Sequence, residues 1–236
     1  MTLKNGKIGV KRIYTAELLQ LVAAIVGIVT AILGIVVAAL SNGDNEGALI
    51  GVGAGAGALG IVTGVLLIIG FILYLVGVGT AAKDSAFFKT AMIFIIVGIA
   101  ASILDSIFGG LKSAWAGYVA DAFRFIRSVT ELLTVLYIVD GIIDFAEQVG
   151  DEKVQLKGAA FKWLLMVVYG LAALVVLISI ICGATVASAI IVSVIGIIAA
   201  VLSVVKYFVF LTLLAKAKDM AWEKADTAPA DIEIEG

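Results

Sequence analysis

The chain alternates between long apolar runs and short polar breaks. Residues 1–12 are basic and polar, with Lys4, Lys7, Lys11 and Arg12. An apolar run from about Tyr14 to Leu40 follows, long enough for the roughly 20 residues that a bilayer core requires. Ser41 to Gly47 is a polar turn without Lys or Arg. From Gly47 to Ala82 there are 36 uncharged residues. That is too long for one upright span and too short for two spans and a turn, which predicts a single tilted or protruding helix.

A third span is expected from about Phe87 to Phe108, with Asp105 near its far end and Gly109-Gly110 as the turn. Trp115, Tyr118, Asp121, Phe123, Arg124 and Arg127 then predict an interfacial helical segment, because Trp and Tyr favour the headgroup level. A fourth span from about Ser128 to Phe145 is the least oily and carries Glu131, Asp140 and Asp144. Glu147 to Lys157 reads as the longest charged loop. Trp163 to Val205 contains 43 uncharged residues, which fits two spans joined near Cys182-Gly183-Ala184-Thr185. The fifth starts near Ala159, and the sixth runs to about Ala215 with Lys206 inside it. Apolar runs are continuous and never alternate, so a transmembrane barrel does not fit.

One short string organises these runs. Ala82-Lys83-Asp84-Ser85-Ala86-Phe87-Phe88-Lys89 recurs as Ala217-Lys218-Asp219-Met220-Ala221-Trp222-Glu223-Lys224, and Asp144-Phe145-Ala146 is a fainter copy. Each copy ends a long apolar run. The expected fold is therefore an all-α integral membrane protein of six transmembrane helices. They form three consecutive hairpins, at about 13–84, 87–147 and 159–222, and the even-numbered helices are long and reach into the interface. Residues 1–12 form a basic N-terminal segment, 13–224 the membrane domain, and 225–236 a disordered acidic tail.

Composition agrees with the pattern. Hydrophobic residues make up 63 % of the chain and charged residues 14 %, against about 25 % charged in soluble domains. The N-terminal run is too long for the about 7–15 residues of a signal-peptide core and reads as an uncleaved first span. With the N-terminus inside, thirteen Lys and Arg fall on the inner side and only Lys112, Arg124 and Arg127 outside. That bias predicts a multi-pass plasma-membrane protein with both termini cytoplasmic.

The composition also narrows the chemistry. The chain contains no histidine, which removes His-ligated haem, Ser-His catalysis and His-based zinc sites. The single cysteine, Cys182, cannot form an intrachain disulfide. No basic block points to nucleic acid, and no cofactor or metal is expected. Gly55-x-Gly57-x-x-Gly60 matches a dinucleotide fingerprint only as text, because no strand or βαβ context surrounds it. Its membrane reading is close helix packing through Gly51, Gly53, Gly55, Gly57, Gly60 and Gly64.

Candidate polar groups lie on the fourth and sixth spans. Asp140, Asp144 and Glu147 share one helix face. They serve either as interfacial caps and pairs or as a cation or proton site. Lys206 either pairs with Asp140 or extends its stem to the headgroups. Arg127 and Glu131 are spaced to pair on the helix surface. Asp140-Gly141-x-x-Asp144 is similar to the start of the Asp-Gly-x-x-Ala-Arg motif of phosphatidyl-transfer enzymes, but Asp144-Phe145 replaces Ala-Arg, so no enzyme is expected.

Two functions follow as expectations. One is a non-enzymatic membrane scaffold, assembly or envelope component that meets the lipid bilayer and a membrane partner or a second copy of itself. The other is a small transporter or channel using Asp140, Asp144 and Lys206.

Overall fold

A computed structural model describes residues 3–40, 46–111, 113–182, 186–220 and 222. Within the helices, the side chains of 38–40, 46–52, 114, 172–182, 186–193 and 200 are outside that description, as are the expected turns at 41–45 and 183–185 and the acidic tail 225–236. Among the described residues six helices follow one another: α1 (Lys4–Leu40), α2 (Glu46–Ala81), α3 (Ala86–Gly109), α4 (Ala114–Val149), α5 (Glu152–Cys182) and α6 (Val186–Lys218). No strand occurs among the described residues. Among the described residues five stretches are long and apolar enough to cross a membrane: Lys4–Val37, Gly53–Ala81, Ala86–Gly109, Glu152–Leu171 and Val194–Lys218. The helix α4, which carries Arg124, Arg127, Glu131, Asp140 and Asp144 along its 36 residues, is not among these five.

Three boundaries differ from the sequence expectation. The helix α1 begins at Lys4, inside the basic N-terminal stretch, and Leu3 and Val10 are buried. The aromatic stretch after Gly110 and the fourth span are one continuous helix of 36 residues, about 54 Å long. The charged connection after Glu147 shrinks to Gly150 and Asp151. Here Gly150 adopts the left-handed conformation, with φ 72°. Its N–H donates to the Glu147 carbonyl at 3.2 Å, and the Asp151 N–H donates to the Ala146 carbonyl at 2.8 Å. This closes the C-terminus of α4 as a Schellman turn. The Asp151 carboxylate then accepts the Val154 N–H at 3.1 Å and caps α5. Charge in this stretch therefore marks helix ends and helix faces, and no long loop is needed.

By its internal contacts the chain divides into two units, Lys11–Gly77 and Met1–Val10 with Val78–Gly236. In the first, the long arms of α1 and α2 meet through small residues. A Cβ added at Gly27 would sit 3.7 Å from Thr63 Cγ2. One added at Gly70 would sit 3.3 Å from the Ala16 carbonyl and 3.2 Å from Gln20 Cγ. Ala16, Ala23 and Gly27 lie on one face of α1 at 7- and 4-residue spacing, and Ala16 and Ala23 are fully buried. Without a hydrophobic effect between helices in lipid, such close approach supplies the dispersion contact. The remaining faces are apolar and open, with Ile35 71 % and Ile61 70 % exposed. Faces of that kind need a bilayer around them.

In the second unit α4 packs along α3 and along α5, and α5 packs on α6. Phe94 stacks on Tyr137 at 5.5 Å between ring centroids, and Phe161 on Phe210 at 5.3 Å. Glycines admit the neighbours here too. A Cβ at Gly98 would stand 3.0 Å from Thr130 Oγ1, and one at Gly158 2.6 Å from Ile143 Cγ1.

Candidate functional site

The three copies of the Asp-x-Ala string carry residues that meet at one end of the second unit. Asp84, in the turn between α2 and α3, accepts the Gly6 backbone N–H at 2.7 Å and Asn5 Nδ2 at 2.9 Å. The first turn of α1 contains no acidic residue. Asp84 therefore caps α1 from a distance of 78 residues in sequence, satisfying a donor that a helix leaves unpaired and meeting the positive end of its dipole. Ser85, the N-cap residue of α3, has extended backbone and no side-chain bond to its own helix. Its hydroxyl instead donates to Asp144 Oδ2 at 3.2 Å.

Aromatic rings fill the space between these bonds. Phe88 stacks on Phe145 at 5.5 Å, and Trp222 meets the Phe145 ring edge-to-face at 5.6 Å. Phe88 and Phe145 are completely buried, and Trp222 is nearly so. Two glycines make room: a Cβ at Gly6 would lie 2.8 Å from the Phe145 ring, and one at Gly141 would run into Phe88. Trp222 Nε1 donates to the Lys218 carbonyl at 3.3 Å, which helps close the end of α6. Four segments are thus joined: the start of α1, the α2–α3 turn, the end of α4 and the segment after α6. Each aromatic pair of this geometry adds about 0.5–1.5 kcal/mol beyond its buried area.

The sequence-derived polar residues enter separate contacts. Asp140 lies one turn before Asp144 on α4 and receives Lys162 of α5, with Nζ 2.6 Å from Oδ1. The pairing of Asp140 with Lys206 considered from sequence is replaced by this contact. Lys206 stands over the ring of Tyr169, 5.2 Å from its centroid, in cation–π geometry. The three residues Asp140, Asp144 and Lys206 therefore enter three different contacts. Glu131 of α4 lies within electrostatic reach of Tyr169. Arg124 bonds Asp121 at 2.8 Å and Asp105 at 3.3 Å, tying α3 to α4 at their opposite end.

The glycine-rich start of α2 has a separate fate. Among the described residues nothing lies within 4 Å of a Cβ built at Gly53, Gly55, Gly57, Gly60 or Gly64, and the surroundings of Gly51 fall outside them. Close approach between α1 and α2 occurs instead at Gly27 and Gly70.

No group of three or more Cys, Asp or Glu side chains is placed to hold a metal ion among the described residues. Lys162 and the aromatic partners of the junction escaped the sequence reading. In the sequence Lys162 is one basic residue among the inner-side charges, and only its position ten residues into α5, about 15 Å along the helix, brings it to Asp140. No family model, curated protein or solved structure matches the chain.

Proposed function

We propose that the chain is a non-enzymatic, multi-spanning membrane protein that serves as a scaffold or assembly component. In this reading α1–α2, α3–α4 and α5–α6 are three hairpins crossing the plasma membrane. The junction end, with both termini, faces the cytoplasm. The observation that carries it is the junction itself. Asp84 caps α1, Asp144 holds the N-cap of α3, and Phe88, Phe145 and Trp222 close the space between them. Carboxylates that would serve a moving ion are engaged in fixing helices to one another. A partner would be another membrane protein or a second copy of the chain, approaching the open glycine face of α2.

A second reading is transport of a cation or proton past Asp140, Asp144 and Lys206. It draws support from Lys206, for which no carboxylate lies within ion-pair distance among the described residues. An ammonium in an apolar helix is costly unless it has a task.

One experiment separates them. The purified protein is reconstituted into vesicles carrying a proton or potassium gradient. Scaffolding predicts decay no faster than in protein-free vesicles. Faster decay that Asp140→Asn and Lys206→Met abolish would transfer the conclusion to transport. Cysteine labelling at Asp44 and at Gln155 tests the orientation, with opposite sides expected.

A further inference from the structure

We propose that a cleft between the start of α5 and the end of α6 holds the phosphate of an anionic lipid headgroup, gripped by Lys153, Lys157 and Lys216. The cleft has a volume of about 290 Å³ and is lined by Asp151, Lys153, Val154, Ala215, Lys216 and Asp219. Lys153 and Lys157 are one turn apart on the same face of α5. Lys153 and Lys216 line the cleft from its two helices, and Lys157, one turn beyond Lys153, is close enough to Lys216 on α6 for the two charges to repel. Two ammonium groups side by side repel each other, and a shared anion turns that repulsion into two charge-assisted hydrogen bonds.

The acids beside the cleft do not fill that role. Asp151 accepts the Val154 N–H as the cap of α5, and Asp219 pairs with Lys218 at 3.6 Å. Among the described residues no carboxylate forms an ion pair with Lys153, Lys157 or Lys216. All three lysines are exposed.

Position selects the lipid as the source of the phosphate. With 31 residues, α5 is about 46 Å long and exceeds a hydrocarbon core of about 30 Å. Its first turns therefore stand in the headgroup layer. Trp163 is 72 % exposed and Leu156 71 %. An exposed Trp in this position marks the interface, and Leu156 beside Lys157 offers an apolar contact to the acyl chains. Phosphate at that level, with its chains running down α5, fits basic pockets of this type.

The test measures lipid retention by the full-length protein in neutral detergent, using native mass spectrometry after incubation with phosphatidylglycerol or phosphatidylcholine. Preferential retention of phosphatidylglycerol is expected. Lys157→Gln with Lys216→Gln should reduce it by about tenfold or more, since each lysine near a charged headgroup contributes a severalfold factor. Lys157→Arg with Lys216→Arg should keep it, which guards against loss by misfolding. Lys83→Gln with Lys89→Gln removes the same charge from the junction end outside the cleft and should leave retention unchanged. Equal loss in that control, or no loss in the cleft variant, overturns the proposal. Displacement of the lipid by millimolar inorganic phosphate would assign the cleft to a soluble anion and equally overturn it. So would a wild type that retains the lipid only after truncation following Lys224, since the acidic tail would then be the occupant.

Discussion

Lys162 Nζ lies 2.6 Å from Asp140 Oδ1, joining α5 to α4 one turn from the bond between Asp144 and Ser85. Two carboxylates on one helix face thus hold two different neighbours, and Gly141 between them admits Phe88. Each of Asp140, Gly141 and Asp144 thus has a packing role.

A double-mutant cycle measures this contact. The side chains retain only 27 % and 33 % of their exposure, so either single change strands a charge in a poorly solvated place. Asp140→Asn and Lys162→Met should each cost about 1–3 kcal/mol, while the double variant costs less than their sum by about 1 kcal/mol or more. The same cycle on Asp140 and Lys206 should show coupling within error of zero. Denaturation in detergent gives the values, and the reverse ranking would restore the Asp140–Lys206 pairing.

The aromatic junction supplies the next prediction. Trp222 is the last described residue of the chain, yet it is 5 % exposed and sits against Phe145. Trp222→Ala should cost about 3 kcal/mol by opening a cavity there. Truncation after Lys218 should cost at least as much, although it removes no span. Midpoints unchanged by both would mean that the junction contributes nothing to stability.

How far this arrangement was legible in the sequence depends on which residues are considered. The apolar runs announced the helices, because period and length suffice when the solvent is lipid. The repeated Asp-x-Ala string announced that Asp84, Asp144 and Asp219 mark equivalent ends. Their separate tasks were not legible. Asp84 caps a helix 78 residues away, Asp144 receives a serine, and Asp219 pairs with its neighbour Lys218. Such partners are set by tertiary packing, which the local string does not encode. Gly53 to Gly64 are dense in the sequence but have no neighbour within 4 Å among the described residues, whereas Gly27 and Gly70, isolated in ordinary apolar sequence, are where α1 and α2 touch. A close approach needs small residues on both helices at matching height, and one helix alone cannot show that.

The αL turn after α4 can be tested on its own. Gly150 has φ 72° with no neighbour near a built Cβ, so the strain of a substitution is backbone strain alone. Gly150→Ala should therefore cost about 1 kcal/mol, with Gly150→Asn costing less because Asn tolerates this region. A rise in stability with alanine would remove the Schellman closure from the account.

Glycines elsewhere permit a sharper comparison, because helix propensity and packing pull in opposite directions. In an ordinary helix interior, Gly→Ala gains about 1 kcal/mol. At Gly55 and Gly57 no atom of the described residues lies within 4 Å of the added methyl, so the isolated chain should gain roughly that amount or remain neutral. At Gly6 the methyl would meet the Phe145 ring at 2.8 Å. That ring is held between Phe88 and Trp222 and has little freedom to yield. Gly6→Ala should therefore lose about 1–3 kcal/mol, the range for overpacking a filled site. Larger side chains widen the contrast. Gly70→Leu should disrupt the α1–α2 contact, where the Ala16 carbonyl and Gln20 already stand within 3.3 Å. Gly55→Leu should leave the monomer intact. If the glycine face of α2 receives a partner helix, Gly55→Leu will nevertheless shift the assembled species to smaller mass when membranes are solubilised and resolved by native electrophoresis. Monomer stability and assembly are then read from one pair of variants. Loss of monomer stability by Gly55→Leu would place its packing partner within the chain itself.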